Sequence, residues 1–434
     1  MNRLKIKIIL TIFLMVSGCS LDTKTGVWNE KKEIKKTQET KIKKLFLPER
    51  IINNQLNPTL NINISDKFNV KNKNLSNNNG RYDYNKILKE TSKFKFSKIH
   101  NFNQNEPEII FYKNNIIFFD DKGYLIRFNE TQEKVWKINN YNKIEKKSKP
   151  FLFLANNKDT LIVADSIAKY YAVNIKNGNL IWSKNNSSPF NSEIKIFKDK
   201  FFIIDHENIL HCYSLKDGKE IWSFKTENVL IKSQKKLSII IDNNIVYFNN
   251  SIGDITAIDI EKGSLIWQMP TQNSNVYAHS FSLKNSSLVL YKKVIYFSNN
   301  RNEFYSVNSE NGLLNWKQKI NSFVSPAIFN NVIVTVSIEG FLIIIDKESG
   351  NIIRITDIFD IYKEKKRTQI YPINFIVGSK NIYLSTSNGR LQVISIKTGK
   401  NERIIKIESG KISRPFINKK KLFIIRDKAI IRFD

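Results

Sequence analysis

Cysteine is nearly absent, two in 434 residues, which excludes a disulfide-stapled scaffold and any cysteine-rich zinc or iron–sulfur centre. Four histidines leave little imidazole for a metal site. Of these, His206 and His211 are five apart on strand-like sequence and tend to opposite faces, a poor metal pair. Acidic residues are also scarce: 40 Asp and Glu against 70 Lys and Arg give a formal charge of +30. A basic surface invites nucleic acid, but in a chain heavy in lysine, asparagine and isoleucine solvated lysines are the simpler reading. What is present, 41% hydrophobic and 25% charged residues, is a globular composition. The length suits two or three ordinary domains or one large repetitive one.

The N-terminus reads MNRLKIKIILTIFLMVSGC. Arg3, Lys5 and Lys7 precede an apolar stretch from Ile8 to Val16 broken only by Thr11. That stretch falls short of the about 20 residues that span a bilayer and has the size of a secretory core. It closes on Ser17, Gly18 and Cys19, which resembles the bacterial lipobox. The resemblance implies a signal peptide over 1–18, acylation of Cys19, and a mature chain held on a membrane by its lipid. Ser20 stands where an inner-membrane retention signal would be Asp, so the implied destination is the outer membrane, facing the periplasm, where nucleic acid is not a partner. Lipidation leaves Cys212 as the one free thiol, inside an apolar strand pattern, a small core residue rather than a reactive one.

Residues 20–98 hold 18 basic and 8 acidic side chains and polar clusters such as Asn72–Asn79. This composition predicts a lipid-anchored basic tether, mostly disordered, over 19–92. Its charge density is about 0.13 per residue, against about 0.05 from Ile99 onward, the pattern of a membrane-proximal arm.

From about residue 100 a unit repeats with a period near 45. Its fullest copy runs from Ile245 through Gly253, Asp259 and Gly263 to Trp267: strand, glycine turn, strand, Asp-x-x-x-Gly turn, strand ending in Trp. The spacing recurs at Ala168, Asn174, Gly178 and Trp182, at Asn208, Ser214, Gly218 and Trp222, and at Asn302, Asn308, Gly312 and Trp316. Gly340, Asp346 and Gly350 lead to Arg354 in place of Trp, and Gly389, Ser395 and Gly399 lead to Arg403. Gly123, Asn129 and Trp136 form a variant copy. Glycine supplies the positive φ of a tight turn, and Asp or Asn four residues earlier folds its oxygen onto turn amides. Trp is large enough to wedge across to the next unit. Short strands in units that cannot bury their own faces predict an all-β, eight-bladed β-propeller of four-stranded antiparallel blades over 93–434. The final copy, Leu422–Asp434, supplies only two strands, so Phe94–Ile99 is the candidate to complete that blade and close the ring.

The unit Gly-x-x-x-Ala-Ile-Asp-x-x-x-Gly-x-x-x-Trp around Gly253–Trp267 resembles the PQQ-type propeller repeat. With the lipobox, the chain from Cys19 to Asp434 resembles the BamB lipoprotein family. That resemblance implies no enzymatic activity, no cofactor, and docking onto the periplasmic domains of the barrel-insertion subunit of the outer-membrane assembly machinery. Unfolded outer-membrane protein clients are a further implied partner. Partner contact would fall after the third blade's Trp222, at Leu230, Ile231 and Lys232, although Val229–Ile231 reads equally well as an inner strand. The same repeat builds periplasmic PQQ-dependent dehydrogenases. Such chemistry needs a cation, polar groups and a base around a quinone, whereas the Asp residues here already serve turns, and no adjacent Cys-Cys is present. A third reading is a propeller that binds an anionic envelope lipid or polymer.

Overall fold

The computed structural model describes Leu56 and residues 77–99, 106–227, 235–271 and 283–434, together with the backbone pairing of Ser20–Leu21 with Trp28–Asn29. The described residues from Leu56 onward belong to one compact unit. In it, eight four-stranded antiparallel sheets follow one another as blades. In chain order, blades 1 to 7 span 110–138, 152–185, 195–225, 239–269, 289–318, 327–357 and 372–406. Blade 8 takes its three inner strands from 416–433 and its outermost strand from Glu90–Lys95.

Sequence pattern follows depth in the blade. Middle strands such as Phe341–Asp346 and Ile209–Ser214 are buried on both faces because a neighbouring blade covers each side. Outermost strands such as Leu180–Asn185 and Glu220–Lys225 alternate exposed with half-buried residues. Register slips at one repeated place, between the third and fourth strands. Ala172 pairs with Trp182 but Val173 with Leu180, and Ala257 pairs with Trp267 but Ile258 with Leu265. The extra residue, Ile181 or Ile266, is a β-bulge that turns its own side chain outward and re-aims the following Trp into the seam between blades.

Ring closure differs from the expected Phe94–Ile99. Glu90–Lys95 pairs antiparallel with Ala429–Phe433, Phe94 facing Ile430 and Lys95 facing Ala429. The alternation of Phe94 and Phe96 was legible because both are buried, packing near Phe128 and Phe118. The polar half of the strand was not: an outermost strand is solvated and needs no apolar signal. Residues 77–92, which composition places in the tether, also lie against the propeller, with Tyr84 and Leu88 buried in the core between blades 7 and 8.

Candidate functional site

The repeat residues meet at the blade seams. Each Trp indole N–H donates to the carbonyl that opens the next blade's third turn. Trp136 reaches Ile175 at 2.8 Å, Trp182 Leu215 at 3.3 Å and Trp222 Ile260 at 2.9 Å. Trp267 reaches Ser309 at 2.9 Å and Trp316 Lys347 at 3.1 Å. The turn glycine of that next blade lies under the ring. A Cβ on Gly218 would come within 2.7 Å of Trp182, and one on Gly312 within 2.6 Å of Trp267. Gly178, Gly263 and Gly350 stand in the same relation to Trp136, Trp222 and Trp316. Asp259 Oδ1 accepts from Glu261 and Lys262 N–H, and Asp346 Oδ1 from Glu348 and Ser349, which shapes the turn.

Arg354 stands in this lock for Trp. Fully buried, it donates to the carbonyls of Ile396 at 2.9 Å and Lys397 at 2.8 Å, the same turn position, with Gly399 beside its stem. Arg403 has no third turn ahead of it, because blade 8's outer strand comes from the N-terminus. It donates instead to Leu88 O at 3.3 Å on the incoming segment. The first turn of each repeat requires positive φ. Gly123, Gly253, Gly340 and Gly389 have it, and so do Ala168 at 72°, Asn208 at 60° and Asn302 at 63°.

Within blade 3, His211 is buried between Asp205, 3.0 Å from Nε2, and Glu220, 2.7 Å from Nδ1. Burial disfavours the imidazolium, but hydrogen bonds to Asp205 and Glu220 outweigh it and raise the pKa. Cys212 beside it is fully buried, its thiol pushed up to about 12 by desolvation. No group of three or more His, Cys, Asp or Glu able to hold a metal occurs among the described residues.

The ring axis holds charges and part of the chain itself. Residues just before the innermost strands converge there. Arg414 donates to Glu108 at 3.1 Å, Lys236 donates to Glu108 at 2.9 Å, and Glu193 pairs with Lys195 at 3.1 Å. Burial disfavours the Glu193 carboxylate, yet Lys195 and Lys236 more than offset this and lower its pKa. Lys235, donating to Phe323 O, is pushed down to about 8, mainly by burial and also by Lys236, Lys284 and Arg414. A cavity lined by Glu106, Glu108, Leu154, Glu193 and Lys236 measures about 10 Å³, room for about one water.

Through this axis runs the segment 77–84. Leu290 N–H donates to Asn77 O, Val377 N–H to Gly80 O, and Tyr82 N–H to Val377 O. Leu290, Ile328 and Val377 all belong to innermost strands, of blades 5, 6 and 7. The segment passes from the start of the inner strands to the Gly378 hairpin, where Ser379 N–H donates to Tyr84 O, and from there to the outer edge of blade 8. Sequence reasoning missed both features. The available signal was charge placed immediately before successive inner strands, at Glu108, Glu193, Lys236 and Arg414. Leu230, Ile231 and Lys232, and Cys19, lie outside the described residues.

Eight blades, five of which lock onto the next through Trp, define a PQQ-repeat propeller. A family model described as outer membrane protein assembly factor BamB matches residues 121–356, and the chain belongs to that family. A search of curated proteins finds no match. Among solved structures, BamB from Moraxella catarrhalis superimposes with a TM-score of 0.66 at 12% identity, covering 80% of this chain and 100% of that one. A europium-containing methanol dehydrogenase gives 0.63 at 11% identity, covering 80% and 87%. A quinohemoprotein alcohol dehydrogenase from Pseudomonas putida HK5 gives 0.62 at 10%, covering 82% and 78%.

Proposed function

We propose that the protein is a non-enzymatic scaffold of outer-membrane β-barrel assembly. It would be anchored through acylated Cys19 on the periplasmic side of the outer membrane and docked onto the barrel-insertion subunit through Leu230, Ile231 and Lys232. Family membership supports the assembly role. One observation of the chain favours it over the dehydrogenase reading: the ring axis carries the chain's own residues 77–84. The adjoining cavity of about 10 Å³ is far below the roughly 300 Å³ at which small-molecule pockets begin. The role is then positional, the anchor raising the local concentration of propeller near its partner.

The barrel-insertion subunit co-purifies with the full chain from solubilised envelopes; its absence overturns the reading. Cys19→Ala shifts the protein out of the outer-membrane fraction, and unchanged fractionation overturns the anchor. A bound-quinone spectrum after addition of PQQ and calcium restores the dehydrogenase reading. Steep release from anionic vesicles as salt rises favours binding to an envelope lipid.

A further inference from the structure

The asparagine run Asn77–Asn79 has no part in the seams or in the assembly role, yet it makes the most specific contacts at the axis. Asn78, in the left-handed conformation at φ 60°, spreads its carboxamide across three blades. Its Nδ2, with two hydrogens to share, lies within hydrogen-bond distance of Glu193 Oε1 at 2.9 Å, Ser238 Oγ at 3.1 Å and Leu288 O at 3.1 Å. Its Oδ1 accepts from Lys195 Nζ at 2.6 Å. Asn79 pairs with one residue of blade 6 as an added strand would: Nδ2 donates to Ile328 O at 2.7 Å, and Ile328 N–H donates to Oδ1 at 3.0 Å. Gly80 and Tyr82 then pair through their backbone with Val377 of blade 7.

Innermost strands of a propeller leave their axial edges without a neighbouring strand, and a carboxamide carries the donor and the acceptor that such an edge lacks. Lys195, buried, and Glu193, largely buried, supply one donor and one acceptor at the separation of a single amide. Aspartate has no donor for Glu193 or the Leu288 carbonyl, and an aliphatic side chain satisfies neither.

We propose that the axis is a peptide-binding site that reads consecutive side-chain carboxamides, that Asn77–Tyr82 is its ligand in cis, and that an extended asparagine-rich segment takes the same place in trans when the cis segment leaves. In the wild type the tethered ligand competes at an effective concentration of order millimolar, so the open state is a small fraction and apparent affinity for a free peptide falls by that fraction.

The test uses the full chain and a fluorescent peptide of residues 77–84. The Asn78→Ala/Asn79→Ala protein binds the peptide about tenfold or more tightly than the wild type. A peptide with alanine at both positions loses that gain. The proposal is overturned if the folded double variant, checked by circular dichroism, binds no better than wild type, or if the alanine peptide binds equally well. Should the double variant not fold, Asn78→Asp sets a carboxylate against Glu193 and opens the axis to the peptide, while adding Glu193→Gln supplies a donor and closes it again. Equal peptide binding by those two proteins overturns the proposal.

Discussion

Blades 1 to 5 and blades 6 and 7 close their seams with different chemistry at one position. In the first group an indole rests on the next turn's glycine and gives one hydrogen bond, as Trp267 does to Ser309 over Gly312. In the second, Arg354 gives two hydrogen bonds to Ile396 and Lys397, and Arg403 gives one to the incoming chain at Leu88. The difference teaches that the repeat conserves a task, satisfying the carbonyl that opens the next blade's turn, rather than a residue type. Where the next blade lacks that turn because the N-terminus builds its outer strand, the same register position seizes the N-terminal segment.

The heaviest blow to the comparison is Trp267→Ala. It removes a buried ring and its hydrogen bond, and denaturant unfolding should show a loss of about 3–5 kcal/mol. Arg354→Ala comes next: two carbonyls lose their buried partner, at a cost of about 2–4 kcal/mol in the same assay. Arg354→Lys should recover only part of it, because one ammonium lacks the planar fork that reaches both carbonyls. Arg403→Ala should cost about 1 kcal/mol or less, since its one bond is long and half-buried. A cost matching that of Arg354→Ala would mean that the closing seam is held as firmly as the internal ones.

Ala168→Gly tests the first turn. Alanine sits there at φ 72°, so glycine should raise stability by about 0.5–1 kcal/mol, relief of left-handed strain exceeding the entropy added to the unfolded chain. The smallest effect concerns His211, which ties the third strand of blade 3 to Glu220 on the fourth, two residues before Trp222. Its folded pKa is raised, so the imidazolium contributes stability fully below its unfolded value of about 6.5. That contribution is lost as pH climbs through the folded value. The stability margin of wild type over His211→Asn should therefore shrink from pH 5.5 to 9; a margin that widens contradicts the assignment.

The propeller was legible in sequence because its turns are chemically marked: glycine at positive φ, Asp or Asn four residues earlier, Trp four later. Eight blades followed from seven copies and a terminal fragment. The bulge that aims each Trp was hidden, since the extra residue before it, Val135, Ile181, Ile221, Ile266 or Asn315, carries no fixed chemical mark. The axial segment was hidden for the opposite reason. Asn77–Asn79 carries no apolar periodicity, and asparagine runs resemble solvated chain until the carbonyl edges that they satisfy are in place.

The most direct test of the assembly role places a photo-crosslinking amino acid at Ile231 of the full chain in cells. A second, at exposed Ile361 after blade 6, serves as control. The account predicts a light-dependent adduct with the barrel-insertion subunit from position 231 and none from 361. No adduct from 231, with the protein present at normal levels, would contradict it.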